Sequence, residues 1–152
     1  MNGKKLGAVV ALIIGVIVGG FLLIDGSGQG DESTLSAEVQ SQIIKGVTPK
    51  QARALIQDYK EHEDFIILDL RCIKEYTVGH IDKAINLNYF AKSFPEEFNK
   101  LDRNKTYLIY CRTGKISKAI LEEMKIRGFR EVYNISGGIS QWEAQGLPTT
   151  KK

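Results

Sequence analysis

Histidine and cysteine are scarce, two of each in 152 residues, and neither has metal-ligand spacing, which argues against a metal centre. An excess of one charge is also missing. The 21 basic and 18 acidic side chains leave a net +3, scattered along the chain with no basic stripe interleaved with aromatics, so nucleic-acid binding has no footprint. Nothing in the pattern calls for an organic cofactor. With 43% hydrophobic and 26% charged residues, the chain suits one globular domain plus an appendage.

The appendage is an apolar run, "LGAVVALIIGVIVGGFLLI", Leu6 to Ile24, with no charged residue. A helix of that length spans roughly 28 Å, about the thickness of a bilayer's hydrocarbon core. The competing reading is a cleaved secretory signal, whose apolar region usually covers about 7–15 residues before an Ala-x-Ala-like exit. This run is longer and leaves through Ile24-Asp25-Gly26-Ser27, so an uncleaved transmembrane helix is expected, and no cysteine stands nearby to take a lipid. Lys4 and Lys5 precede it and Asp25, Asp31 and Glu32 follow. The positive-inside tendency then puts residues 1–5 in the cytoplasm, 6–24 in the cell membrane as a single pass, and the remainder outside the cytoplasm. Gly7, Ala11, Gly15 and Gly19 recur every four residues, a small-residue face on which two spans could form a weak dimer.

Residues 25–45 read as a linker, opening with the Gly-, Ser- and acid-rich "IDGSGQGDEST", with a short helix expected in "LSAEVQSQIIKG". The domain is expected over 46–150. A helix begins at Thr48, the N-cap, with Pro49 in its first turn, Gln51 completing a capping box, and Ala52, Leu55, Ile56 and Tyr59 on one face. "FIILDL" (Phe65 to Leu70), a weaker run at Ala84 to Leu87, "TYLIYC" (Thr106 to Cys111) and "EVYNI" (Glu131 to Ile135) read as strands; the first and third are near-continuous apolar runs, as for strands covered on both faces. Between the last two, a helix is expected with Ile116, Ala119, Ile120 and Met124 inward and Gly128 ending it. Strands alternating with helices imply a parallel α/β sheet, whose ligands gather beyond the strands' carboxyl ends.

Cys111 stands at such an end. The loop after it, Arg112-Thr113-Gly114-Lys115-Ile116-Ser117, leads into a helix, so backbone N–H groups and the positive end of the helix dipole converge on the thiol. That setting favours an anion and hence the reactive thiolate, although a cysteine at a strand end is more often simply buried.

Three stretches carry a family likeness: "ILDLRCIKEYTVGHIDKAINL", with Asp69, Arg71, Glu75, Tyr76, Gly79, His80, Ile81, Ala84 and Asn86; "YLIYCRTGKIS"; and "RGFREVYNISGGISQWEAQGLP", with Gly128, Gly137, Gly138, Trp142, Gly146 and Pro148. On these the chain from about Gly46 to Pro148 resembles a single rhodanese domain. The resemblance implies a three-layer sandwich around a five-stranded parallel sheet flanked by helices. It also implies sulfurtransferase chemistry, in which Cys111 takes sulfur from a small anionic donor such as thiosulfate and passes it to cyanide or a thiol, protein thiols included. In that scheme Arg112 to Ser117 cradle the persulfide, and Arg112 and Lys115 add positive charge. Asp69 and Arg71 support the loop, and Glu75 pairs Arg71. His80 is expected to be a hydrogen-bonded structural histidine rather than a general base. The phosphatases related to this family need an arginine at the end of a longer loop, and protein tyrosine phosphatases one six residues after the cysteine. Here that sixth residue is Ser117, and no further arginine comes before Arg127. Phosphatase activity is therefore not expected.

Two positions depart from the family. Ile116 stands where many members carry a second loop arginine, which lowers the expected turnover of thiosulfate; Lys83 stands where glycine is usual and suggests a changed turn. Cys72 follows Arg71 near the end of a neighbouring strand. It is either an inert thiol or a resolving partner for Cys111. Three functions follow: an anchored sulfurtransferase, a non-catalytic rhodanese-like binding module, and a thiol redox protein using Cys111 with Cys72.

Overall fold

The computed structural model describes residues 41–152. The transmembrane reading of Leu6 to Ile24 and most of the linker lie outside these residues. Among the described residues no helix is long and apolar enough to cross a membrane.

Five strands, β1 (Ile43–Val47), β2 (Phe65–Asp69), β3 (Ile85–Asn86), β4 (Thr106–Tyr110) and β5 (Glu131–Ile135), form one parallel sheet in the order β1-β5-β4-β2-β3. Helices α1 (Pro49–Asp58), α2 (Ile73–Val78), α3 (Phe94–Asn99), α4 (Lys115–Ile126) and α5 (Gly138–Ala144) connect and cover it. The period-2 alternation of strand side chains divides the core between the two faces. Tyr107, Ile109 and Cys111 pack with Phe94, Phe98, Ile120, Leu121 and Met124 of α3 and α4. Leu108 and Tyr110 pack on the other face with Ala52, Tyr76, Ile139 and Trp142 of α1, α2 and α5. This is the three-layer sandwich, and the central strand is buried from Tyr107 to Tyr110 because both of its faces are covered.

Helix α1 begins as its capping residues dictate. The Gln51 amide donates to Thr48 Oγ1 at 3.3 Å and the Thr48 amide to Gln51 Oε1 at 2.9 Å. Helix α4 ends in a Schellman arrangement in which Gly128, at φ 78°, donates to the Lys125 carbonyl and Phe129 to that of Met124.

Three expectations are corrected. The helix expected in Leu35 to Gly46 is replaced, from Ile43 on, by β1, so the sheet takes in residues assigned to the linker. The β-branched Ile43, Ile44 and Val47 complete the open edge of β5, with Ile44 opposite Val132 and Val47 opposite Ile135, and this ladder overrides local helix preference. The inward face of α4 is Ser117, Ile120, Leu121 and Met124; Ile116 is only partly buried and Ala119 is exposed. The helix is turned so that Ser117 points inward toward Cys111. Lys83, finally, takes φ 62°, the only positive φ among described residues other than glycine. The lysine thus adopts the left-handed step that a glycine makes freely.

Candidate functional site

The register places the site. Asp69 pairs with Tyr110 across β2 and β4, and the Leu70 amide donates to the Tyr110 carbonyl at 2.9 Å, so the chain leaving β2 runs beside Cys111. The thiol is 2% exposed. Its Sγ accepts from the Gly114 amide at 3.2 Å and from Ser117 Oγ at 3.5 Å. The amides of Lys115, Ile116 and Ser117 belong to the first turn of α4, where N–H groups have no partner within the helix. Ser117, at the position where a tyrosine phosphatase needs arginine, is fully buried and bonded to the sulfur.

Gly114 makes the turn tight, at φ 83°, and a Cβ there would come 2.9 Å from the Gly137 amide nitrogen. From below, the N-terminus of α5 holds the loop: Ile139 N–H donates to the Cys111 carbonyl and Ser140 N–H to that of Arg112, both at 3.0 Å. Gly138 permits this approach. A Cβ there, at φ 60°, would stand 2.3 Å from the Cys111 carbonyl oxygen and 2.6 Å from that of Arg112. Sequence reasoning noticed the Gly137-Gly138 pair without a role for it; its signal was two adjacent glycines between a strand and a helix.

Asp69 is completely buried and forms a two-pronged pair with Arg71, with Arg71 Nη2 at 2.5 Å and Nε at 3.0 Å from Oδ2. The Arg71 amide also donates to Asp69 Oδ1 at 2.9 Å, and Nη2 to the Gly79 carbonyl at 2.6 Å. Burial alone would pull the guanidinium down, but the hydrogen bonds and charge of Asp69 outweigh it and hold Arg71 above its ordinary value. The pair ties the end of β2 to the end of α2. The expected Glu75–Arg71 ion pair is not formed, because Asp69 occupies the guanidinium. Glu75 Oε1 instead meets Arg112 Nη2 at 2.6 Å, joining α2 to the cysteine loop.

His80 is buried, stacks on Tyr76 with ring centroids 3.9 Å apart, and donates from Nδ1 to the Tyr76 carbonyl at 2.8 Å. Cys72 stands at the N-cap position of α2 as a free thiol, and its Sγ donates to Glu75 Oε2 at 3.1 Å rather than capping the helix.

Above Cys111 lies a cavity of about 250 Å³ lined by Leu70, Arg71, Glu75, Phe90, Arg112, Thr113 and Ile116 as well as the cysteine. Cys72 and Lys115 are not among its walls. Leu70 and Phe90 escaped the sequence reading, since nothing local marks a leucine or a loop phenylalanine as a pocket wall.

The family model for the rhodanese-like domain matches residues 48–145. The chain belongs to this family. Among similar proteins, thiosulfate sulfurtransferase GlpE of Coxiella burnetii is 36% identical over 81 residues, covering 53% of this chain and 74% of that protein. The Bacillus subtilis protein YtwF is 30% identical over 95 residues, 62% of this chain and 89% of its own. A rhodanese-related protein from Thermoplasma volcanium superposes with a TM-score of 0.58 at 24% identity, over 71% of this chain and 99% of that one. Rv0390 from M. tuberculosis gives 0.59 at 21%, over 73% and 100%. These two structures share the fold.

Proposed function

We propose that this rhodanese-like protein is a sulfurtransferase that carries sulfane sulfur as a Cys111 persulfide. The observation that carries the reading is the Cys111 sulfur receiving the Gly114 amide and the Ser117 hydroxyl at the mouth of α4, beneath an open cavity. The name of the Coxiella burnetii relative supports it. The Cys111 thiolate attacks the outer sulfur of a donor such as thiosulfate. The new S–S bond forms as the donor's S–S bond breaks, and sulfite leaves with the electron pair. Cyanide or a thiolate then attacks the outer sulfur, forming thiocyanate or a new persulfide and returning Cys111 as thiolate. The loop amides hold negative charge on sulfur in each step.

The apolar run from Leu6 to Ile24 and its flanking charges support the further reading that the enzyme is a single-pass protein of the cell membrane with its domain outside the cytoplasm, and the repeat of Gly7, Ala11, Gly15 and Gly19 supports a weak dimer contact along the span. Sulfur transfer is favoured over thiol redox chemistry because the Cys72 thiol is engaged with Glu75 and does not line the cavity. The test is thiocyanate formation from thiosulfate and cyanide, with mass spectrometry of Cys111. The full chain gains one sulfur atom, about 32 mass units, on treatment with a donor, and Cys111→Ser gains none. If neither thiosulfate, polysulfide nor a persulfide donor adds sulfur to the wild-type thiol, the carrier role is wrong.

A further inference from the structure

The cavity over Cys111 contains two cations, and both already have partners. Arg71 is held by buried Asp69, and Arg112, 67% exposed along its side chain, is held by Glu75, which is 23% exposed. Ile116 fills the place of a third cation. Lys74 lines a neighbouring cavity of about 370 Å³ and not this one, and Lys115 lines neither. An inorganic dianion entering here must shed water without meeting an uncompensated positive side chain.

Apart from Thr113, the walls other than the thiol and the ion-paired side chains are apolar. Leu70, Ile116 and Phe90 face the space beside the thiol. Phe90 is 66% exposed, beside Tyr89 at 40%. It is held there by an edge contact to Tyr89 (centroids 5.4 Å), which in turn meets Phe94 at 5.1 Å, and its amide donates to Asn88 Oδ1 at 3.0 Å. The ring thus stands at the mouth. At about 250 Å³ the cavity exceeds the roughly 150 Å³ that accommodates a benzene ring in an apolar protein cavity.

Resting on the sulfur-transfer reading, we propose that this cavity selects a sulfane-sulfur donor bearing an apolar organic substituent, aryl or alkyl, over the inorganic dianion thiosulfate. The substituent lies against Leu70, Phe90 and Ile116 while the outer sulfur meets Cys111. Chemistry is unchanged: the thiolate takes the outer sulfur, the donor's S–S bond breaks, and the organic leaving group departs with the electron pair. Charge and shape of the leaving group are what differ.

Benzenethiosulfonate makes the comparison clean, because it replaces one oxygen of thiosulfate by a phenyl ring and keeps the reacting sulfur pair. Its intrinsic reactivity differs, so the readout is the change in the ratio of kcat/KM for the two donors between wild-type full chain and variants, with cyanide as acceptor. Phe90→Ala, at an exposed position that leaves the core intact, is expected to lower the ratio of kcat/KM for benzenethiosulfonate to that for thiosulfate about fivefold. Ile116→Arg is expected to raise kcat/KM for thiosulfate about tenfold through one added, unpaired charge. Glu75→Gln, which frees Arg112, is expected to act in the same direction. Parallel changes for both donors in Phe90→Ala, with persulfide still formed on Cys111, would overturn the selectivity while leaving sulfur transfer standing. Failure of both donors to load Cys111 in the wild-type chain would overturn both.

Discussion

Replacing Gly138 by alanine should disable the cysteine loop without touching any residue in it. The added Cβ would stand 2.3 Å from the Cys111 carbonyl oxygen and 2.6 Å from that of Arg112. Both neighbours are backbone, so the contact is relieved only by moving α5 away from the loop by about an ångström, because carbon–oxygen contacts below about 3.3 Å are strongly repulsive. That movement stretches the Ile139 and Ser140 bonds to the same two carbonyls, now 3.0 Å each. Two such bonds contribute about 0.5–1.5 kcal/mol apiece, and a non-glycine residue at φ 60° adds about 1–2 kcal/mol. The total is roughly 2–5 kcal/mol, summed from those two terms. Gly128→Ala is the control: its φ is 78°, yet a Cβ there meets nothing within 4 Å, so only the backbone term applies, about 1–2 kcal/mol. Urea unfolding measures both stabilities, and the rate of persulfide formation on Cys111 reads the loop. Gly138→Ala should lose more stability than Gly128→Ala and slow persulfide formation at least tenfold, whereas Gly128→Ala should not affect that rate. Equal destabilisation with equal rates would refute the idea that α5 holds the loop.

Two further outcomes follow from buried groups. Arg71→Met strands the fully buried Asp69 carboxylate and should cost about 3–5 kcal/mol in urea unfolding, while the double variant Asp69→Asn with Arg71→Met, which buries no charge, should cost less than the single one; the reverse order would show that the pair does not matter as a pair. Burial, then the charge of Asp102, pushes the Tyr107 hydroxyl up to about 12 from 10.0, and burial raises Tyr110 and Tyr133 in the same direction. A raised folded-state value means stability that is complete below about pH 10, the unfolded value, and is lost as pH climbs toward 12. Urea midpoints across pH 9 to 12 should therefore fall above pH 10, and less steeply in Tyr107→Phe; identical slopes would contradict the assignment.

Much was readable along the chain because it rests on local rules. The Thr48 cap, the Gly128 stop and the doubly apolar strands around Leu108 follow from hydrogen-bonding groups and side-chain periods within a few residues of each other. The cysteine loop was readable for the same reason, since strand, small residues and helix start are contiguous in "YLIYCRTGKIS". Strand β1 was not, because Ile43 to Val47 become a strand only when the edge of β5, some ninety residues on, offers a ladder. Nor was the partner of Glu75: the family resemblance pairs it with Arg71, but buried Asp69 has claimed that guanidinium, and the carboxylate turns to Arg112.

The sequence by itself determined the α/β architecture, the position of Cys111 at a strand's carboxyl end, and the serine that replaces a phosphate-binding arginine. Only the tertiary structure decided what surrounds that sulfur: Gly138 and α5 beneath it, Leu70 and Phe90 beside it, and two arginines above it whose charge is already met. The reason is physical. Helix caps and strand periods are settled between neighbours in the chain, whereas a cavity wall or the neutralisation of a charge depends on groups that meet only when the sheet has closed.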